Sequence, residues 1–396
     1  MSTVLLVWEL GTNLGHLGPL SALGRELRAR GHKPIFALRS LRKAEDLLGR
    51  FEFPYLQAPL WPEAPEVKSS PLNYSEILER AGFHDPAGLL CVAKAWRELI
   101  RLTAPDAIVL DHAPSALLAT RGMGIPRVLY GTGFSSPPRE YPFPSLWPWV
   151  SIPEGYLRRN DDRILGCVNK VLGKLGETPL QQPCDLFTEV EEDLLCTFPE
   201  LDHYPERKES RYYGPAFAHD VGIEPMWRGN KGRRIVGYLR PDTFNLERVL
   251  SQLSRLEHEF IWFIPGLPAG VRQKYESPEF KFTDEPCRLG RAAQQSDAAI
   301  TNGGHCATAA FLLEGVPSLM LPRRIEHCVV ARNVSRLGAG LTIEQAAPDA
   351  NYALALERLI DTEACTVAAD AFAQKYFKFN PQKQLAETAA RIEALV

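Results

Sequence analysis

The chain has 396 residues, enough for two domains. Apolar residues make up 45% and charged residues 23%, an ordinary globular balance, and the net charge of −3 gives no general affinity for nucleic acid or anionic lipid. No apolar run approaches the roughly 18–20 residues needed to cross a bilayer. The N-terminus lacks the basic patch, apolar stretch and cleavage site of a leader. The 8 cysteines are scattered without a Cys-x-x-Cys pair. They read as reduced thiols of a cytoplasmic protein, with neither a disulfide frame nor a zinc site.

The first half alternates strand and helix. Val4–Trp8 is a short apolar run ending in the turn Gly11–His16. Helical spacing follows from Leu17 to Arg30, with Leu20, Leu23 and Leu27 on one side. Gly31-His32 closes that helix and Pro34–Leu38 is the next strand. This is a βαβ unit of a parallel sheet. Ala107–Leu110 and Arg127–Tyr130 are further strands. Residues 55–90 and 134–183 break the alternation. They are rich in proline and large aromatics, and read as irregular insertions that wall a binding site. Trp61, Tyr141, Phe143, Trp147 and Trp149 belong to that wall, with domain core as their other reading.

A polar, glycine-bearing stretch over 216–232 reads as a linker. The alternation then restarts: a strand at 234–239, a helix at 244–256, a strand at Phe260–Ile264, a helix at 286–295 and a strand at Ala298–Ile300. The fold expected is α/β, with two Rossmann-like parallel-sheet domains facing an interdomain cleft. The expected boundaries are 1–215, a linker 216–232, 233–378, and a last segment 379–396.

Two clusters carry chemistry. His16 lies in a glycine-flanked turn after the first strand, and Asp111 ends the strand Ile108–Leu110, so both emerge on the ligand edge of one sheet. A carboxylate on one imidazole nitrogen fixes the tautomer and supports proton uptake by the other, which makes a general base. The plainer reading is two helix-capping residues. His112 is expected on the opposite face from Asp111, since adjacent side chains of an extended segment alternate. The glycine spacing is not Gly-x-Gly-x-x-Gly, and no acidic residue follows the second strand, which argues against a nicotinamide dehydrogenase.

The second cluster is Thr301-Asn302-Gly303-Gly304-His305, a glycine turn between strand and helix that offers backbone N–H groups and the positive helix end to an anion such as a diphosphate. His305 either faces that anion or is a surface residue. Thr308 is a further phosphate donor near the helix start. Glu326 and His327 follow the next strand; a carboxylate there accepts hydroxyls of a ligand or pairs with Arg323 or Arg324.

These motifs resemble nucleotide-sugar glycosyltransferases of the GT-B fold, closest to the UDP-glycosyltransferase superfamily. Gly15-His16-Leu17-Gly18-Pro19 is similar to the turn carrying that family's base, and Pro105–Asp111, with Gly124-Ile125-Pro126 downstream, to the segment carrying its aspartate. Thr301–Gly304 is similar to its Thr-His-Gly-Gly diphosphate turn, and Glu326-His327 to its Asp/Glu-Gln pair for the sugar. The resemblance also implies that the last helix, 382–395, crosses back onto the first domain, and that base selection rests on backbone near Phe282–Cys287. There are departures. Asn302 stands for histidine and brings no charge, though it can donate to a phosphate oxygen. Ala310 stands where many members have a glutamate for the ribose, and His327 replaces glutamine. Gly237–Arg240 replaces a Gly-Ser turn, and Arg240 is placed to supply the missing positive charge from the opposite wall.

The activity implied is an inverting glycosyltransferase. A UDP- or dTDP-sugar is held by Asn302, Gly303, Gly304, His305, Thr308, Glu326, His327 and Arg240, with His16 and Asp111 activating a hydroxyl of a small lipophilic acceptor. No metal and no separate cofactor are expected, because fixed donors and a helix dipole can stabilise the leaving diphosphate. Two other readings stand beside it: a nucleotide-sugar epimerase of the same architecture, and a non-catalytic binding protein derived from a transferase.

Overall fold

The computed structural model describes residues 1–11, 14–42, 44–61, 69–204, 207–208, 210–218, 222–229, 232–345, 347 and 349–396. Thr12 and Asn13 of the first glycine turn, 62–68 of the first insertion, and 219–221 and 230–231 of the linker lie outside the described residues. The chain divides into two compact units, Met1–Ala218 with Asn380–Val396, and His219–Phe379.

The first unit holds β1 (Thr3–Trp8), β2 (Lys33–Leu38), β3 (Tyr55–Gln57), β4 (Ala107–Asp111), β5 (Arg127–Gly131) and β6 (Glu192–Leu195). Their order is β3-β2-β1-β4-β5-β6, and every pairing is parallel. The second unit holds β7 (Arg234–Tyr238), β8 (Glu259–Phe263), β9 (Phe280–Thr283), β10 (Ala298–Thr301), β11 (Ser318–Met320) and β12 (Gly340–Thr342). Their order is β12-β11-β10-β7-β8-β9, again all parallel. Each sheet starts in its middle, builds outward one way, then crosses to build the other way. The reversal falls between β1 and β4 in one sheet and between β7 and β10 in the other. At such a point the loops on the C-terminal edge splay apart and leave a crevice for ligand.

Burial on both faces explains the nearly continuous apolar strands. Val4, Leu5, Leu6 and Val7 of β1 are fully buried, as are Ala107, Ile108 and Val109 of β4. In the second unit Trp262 packs flat against Gly237 of β7, where a Cβ would lie 1.9 Å from the indole. The ring also stacks on Phe260, with centroids 5.8 Å apart.

The insertion 134–183 is not irregular throughout. It contains the 22-residue helix Glu154–Leu175, whose Leu157, Ile164, Val168, Val171 and Leu172 are buried. Their helical spacing was overshadowed by the proline-rich stretch before it. Asp161 on this helix is buried and accepts hydrogen bonds from Asn73 Nδ2 (2.8 Å), Ser75 Oγ (2.7 Å) and the Phe143 N–H (2.7 Å). One carboxylate thus fastens parts of both insertions. Burial pushes its pKa up to about 6, against those donors, which favour the charged form. Phe143 is fully buried against Tyr74 and Phe187, so it is core and no part of a binding wall. Trp61 lies over Gly82 and Gly88, and Trp147 donates to the Pro71 carbonyl at 2.9 Å.

Of the described part of the linker, 216–218 belong to the first unit, and 222–229 are packed on the second. Ile223 pairs with Cys287, and the N–H groups of Arg228 and Gly229 donate to the buried Glu259 carboxylate at 3.1 Å each. The last helix, Pro381–Glu393, belongs to the first unit, where Glu393 binds Arg30 at 3.0 Å. His32 is mostly covered and lies 3.4 Å from the same carboxylate.

Candidate functional site

In the first unit the site is built at the end of β1 and β4, where Trp8 and Asp111 are register partners. The chain leaves β1, turns at Gly11 with φ +89°, and enters the helix Leu14–Ala29. His16, in its first turn, is carried back over the sheet edge. Its Nδ1 lies 3.0 and 2.9 Å from the two Asp111 carboxylate oxygens. Asp111 is nearly buried and His16 about one-fifth exposed, so the carboxylate backs an imidazole that reaches solvent. The ring stacks on Trp8, with centroids 5.5 Å apart and an interplanar angle of 14°. The other nitrogen, Nε2, lies so close to Gly11 that a Cβ there would be 2.2 Å away. This arrangement leaves Nδ1–H on the carboxylate and Nε2 as the basic atom.

The structure reverses the expectation for His112. The chain does not stay extended after β4, because His112 has φ 46°. Its ring therefore swings to within 6.3 Å of the His16 ring, with Tyr74 and Phe134 on its other sides. Burial, then the neighbouring His16, push its pKa down to about 3, which leaves it neutral. Glu9 is a second residue that sequence reasoning passed over. It is buried just beyond β1, where its carboxylate accepts from Ser115 N–H (3.0 Å), Ser115 Oγ (2.6 Å) and Ala116 N–H (3.2 Å). It thereby holds the start of the helix Pro114–Ala119, directly after Asp111 and His112. Burial pushes its pKa up to about 7, against the hydrogen bonds from Ser115 and Ala116. Both Trp8 and Glu9 lie at the ligand edge of a central strand, which was the available signal.

In the second unit the glycine turn follows β10. Gly303 has φ +79°, and a Cβ on it would lie 2.9 Å from the His327 carbonyl oxygen. Only glycine permits this approach, which sets the turn against the helix Ile325–Leu337. Gly304 begins the helix His305–Leu313, which no side chain caps. Glu326 and His327, half-buried, sit in the first turn of the helix Ile325–Leu337, after Arg324 at its N-cap. Arg240 follows β7, and its backbone N–H donates to Asn302 Oδ1 at 2.8 Å. The structure thus gathers Arg240, Asn302, Gly303, Gly304, Glu326 and His327 at one edge.

Four expectations change. Asn302 is buried, and its amide is bonded to Arg240, Thr243 and Leu321, so it is not a phosphate donor. Thr308 is fully buried, so its hydroxyl is not presented to solvent at the helix start. His305 is also buried, so it is not the surface residue that was one of its two readings. Arg323 bonds to Asp242 and not to Glu326. Among the described residues no three His, Cys, Asp or Glu side chains cluster as a metal site, and no helix is long and apolar enough to cross a membrane.

Comparison with known proteins agrees with this architecture. The model of the family "Erythromycin biosynthesis protein CIII-like, C-terminal domain" matches residues 247–395. A PGL/p-HBAD biosynthesis glycosyltransferase of Mycobacterium tuberculosis (strain ATCC 25177 / H37Ra) is 25% identical over 354 residues, covering 86% of this chain and 80% of that protein. The structure of the Streptomyces sp. SF2575 glycosyltransferase SsfS6 complexed with thymidine diphosphate superposes with a TM-score of 0.66 at 19% identity, over 100% of both chains. Spinosyn rhamnosyltransferase SpnG complexed with spinosyn aglycone gives a TM-score of 0.70 at 16% identity, over 99% of this chain and 100% of the other. The chain has the two-domain GT-B fold, and its residues 247–395 are similar to the EryCIII-like C-terminal domain.

Proposed function

We propose that this GT-B glycosyltransferase moves a sugar, with inversion, from a nucleoside-diphosphate sugar to a hydroxyl of a small lipophilic acceptor. The observation that carries the reading is the His16–Asp111 pair, bonded through Nδ1 at 2.9–3.0 Å at the strand-order reversal of the first sheet. His16 Nε2 takes the proton of the acceptor hydroxyl. The acceptor oxygen forms a bond to the anomeric carbon, and the bond from that carbon to the diphosphate breaks. The diphosphate leaves with the electron pair, and attack from the far side inverts the centre. Asp111 supports the imidazolium that forms.

The donor reading is supported by the glycine turn, the uncapped helix His305–Leu313 and Glu326 beside it. That SsfS6 is known with thymidine diphosphate supports a dTDP- or UDP-sugar, and that SpnG is known with an aglycone supports a lipophilic acceptor. The rings of Trp8 and His112 beside His16, with Phe134 against His112, fit an apolar acceptor body. Glu326 holds sugar hydroxyls, and neither metal nor cofactor takes part. The test is transfer from dTDP- and UDP-hexoses, without metal, to a panel of phenols and lipophilic alcohols. A product of inverted configuration is expected. Release of free sugar or an isomerised nucleotide sugar, equal with and without acceptor, would contradict the reading and favour an epimerase.

A further inference from the structure

Asn302 is spent inside the protein. Its Oδ1 accepts from the Arg240 N–H at 2.8 Å, while Nδ2 donates to the Leu321 carbonyl at 2.8 Å and to Thr243 Oγ1 at 3.1 Å. An amide has two N–H donors, and both are used. β7, β10 and β11 are neighbours in the sheet, so this one side chain ties together the chain just past three adjacent strands. It has no donor left for a ligand.

The positive charge lies on either side of the tie. Arg240 follows β7, and Arg323 and Arg324 follow Leu321 and Pro322 beyond β11. Asp242 engages Arg240 Nε at 3.2 Å and also bonds Arg323. Arg324 reaches solvent at the N-cap of the helix that carries Glu326. Partial desolvation, then the charge of Arg240, hold its guanidinium below its ordinary value, against the pull of Glu326 and Asp242. Two guanidiniums held near each other repel, and an anion taken between them relieves that repulsion. The planar fork of arginine suits a phosphate oxygen pair. The glycine turn opening the nine-residue helix His305–Leu313 lies at the same edge.

We infer that Arg240 and Arg324 hold the donor diphosphate, and that Asn302 is a positioning residue that sets the loops carrying them. This rests on the donor reading above. Charge at the turn then comes from the flanking loops and not from the residue that precedes Gly303-Gly304.

Calorimetric titration of the full chain without metal tests it, using thymidine diphosphate, uridine diphosphate and the parent nucleosides. Arg324→Gln and Arg240→Gln should each weaken the preferred diphosphate about ten- to a hundredfold, with nucleoside affinity unchanged. Arg324→Lys should recover part of the loss, since a point charge remains. Asn302→Ala should lower both the melting temperature and diphosphate affinity. If Asn302→Ala lost diphosphate binding at unchanged melting temperature while both arginine variants bound like wild type, the assignment would be overturned with the donor site intact. Should Asn302→Ala not fold, the solvent-reaching Arg324→Gln decides alone: wild-type affinity overturns the role given to Arg324. Wild-type protein that bound no diphosphate would overturn the donor reading itself.

Discussion

Gly11→Ala should disable the base while leaving the fold standing. Gly11 has φ +89°, and an added Cβ would lie 2.2 Å from His16 Nε2, 3.0 Å from Cδ2 and 3.1 Å from Cε1. An ordinary contact is about 3.5 Å, so the overlap exceeds an ångström. The imidazole must swing away, which breaks its 2.9 and 3.0 Å contacts with Asp111, or the backbone must shift. A non-glycine residue at such a φ carries about 1–3 kcal/mol of strain. In a domain of this size that is a fall of about 2–4 °C in melting temperature per kcal/mol. A lost base removes about 10²–10⁴ in rate. Gly15→Ala is the control: a Cβ there meets nothing within 4 Å, and the residue is helical. Alanine should be neutral or stabilising there by about 0.5–1 kcal/mol. Initial rates and thermal melts of both variants give the comparison. Wild-type turnover in folded Gly11→Ala would refute the reasoning, because the nitrogen beside Gly11 would then not be the reacting atom.

Further outcomes follow from the buried carboxylates. Glu9 has a folded pKa of about 7 against an ordinary 4.5, so the folded state holds its proton more tightly. Its contribution to stability is complete below the unfolded value and is lost as pH rises through about 7, a change of about 3 kcal/mol at most. Glu9→Gln should flatten the stability–pH curve between those values in urea titrations, and an unchanged slope would show that Glu9 does not govern it. Asp161→Ala leaves Asn73, Ser75 and the Phe143 N–H without their acceptor and should lose about 3 kcal/mol or more. It should also raise proteolysis within 69–75 and 141–146, and intact loops under limited protease would count against the fastening role.

Much of the architecture was legible because β1, β4, β7 and β10 are apolar runs, of which β1 and β10 lead into glycine turns. The two residues of the first site are short-range consequences of that pattern: His16 opens the helix after β1, and Asp111 closes β4. His112 was misplaced because alternation holds only while a strand stays extended, and here the chain turns left-handed one residue past β4. Asn302 was misjudged for a different reason. Its partners are the backbone N–H of Arg240, the Leu321 carbonyl and the Thr243 hydroxyl, brought together only by the order of β7, β10 and β11. No local pattern in one sequence reports which backbone groups a side chain will meet. The helix Glu154–Leu175, in contrast, carried a readable apolar spacing.

The most direct test pairs two variants in one experiment, measuring metal-free transfer and donor binding for His16→Ala and Glu326→Ala. His16→Ala should bind the nucleotide sugar as wild type does and turn over at least a hundredfold more slowly. Glu326→Ala should lose affinity for the nucleotide sugar while binding the bare nucleoside diphosphate normally. His16→Ala with undiminished turnover would contradict the central claim that this imidazole, backed by Asp111, removes the acceptor proton.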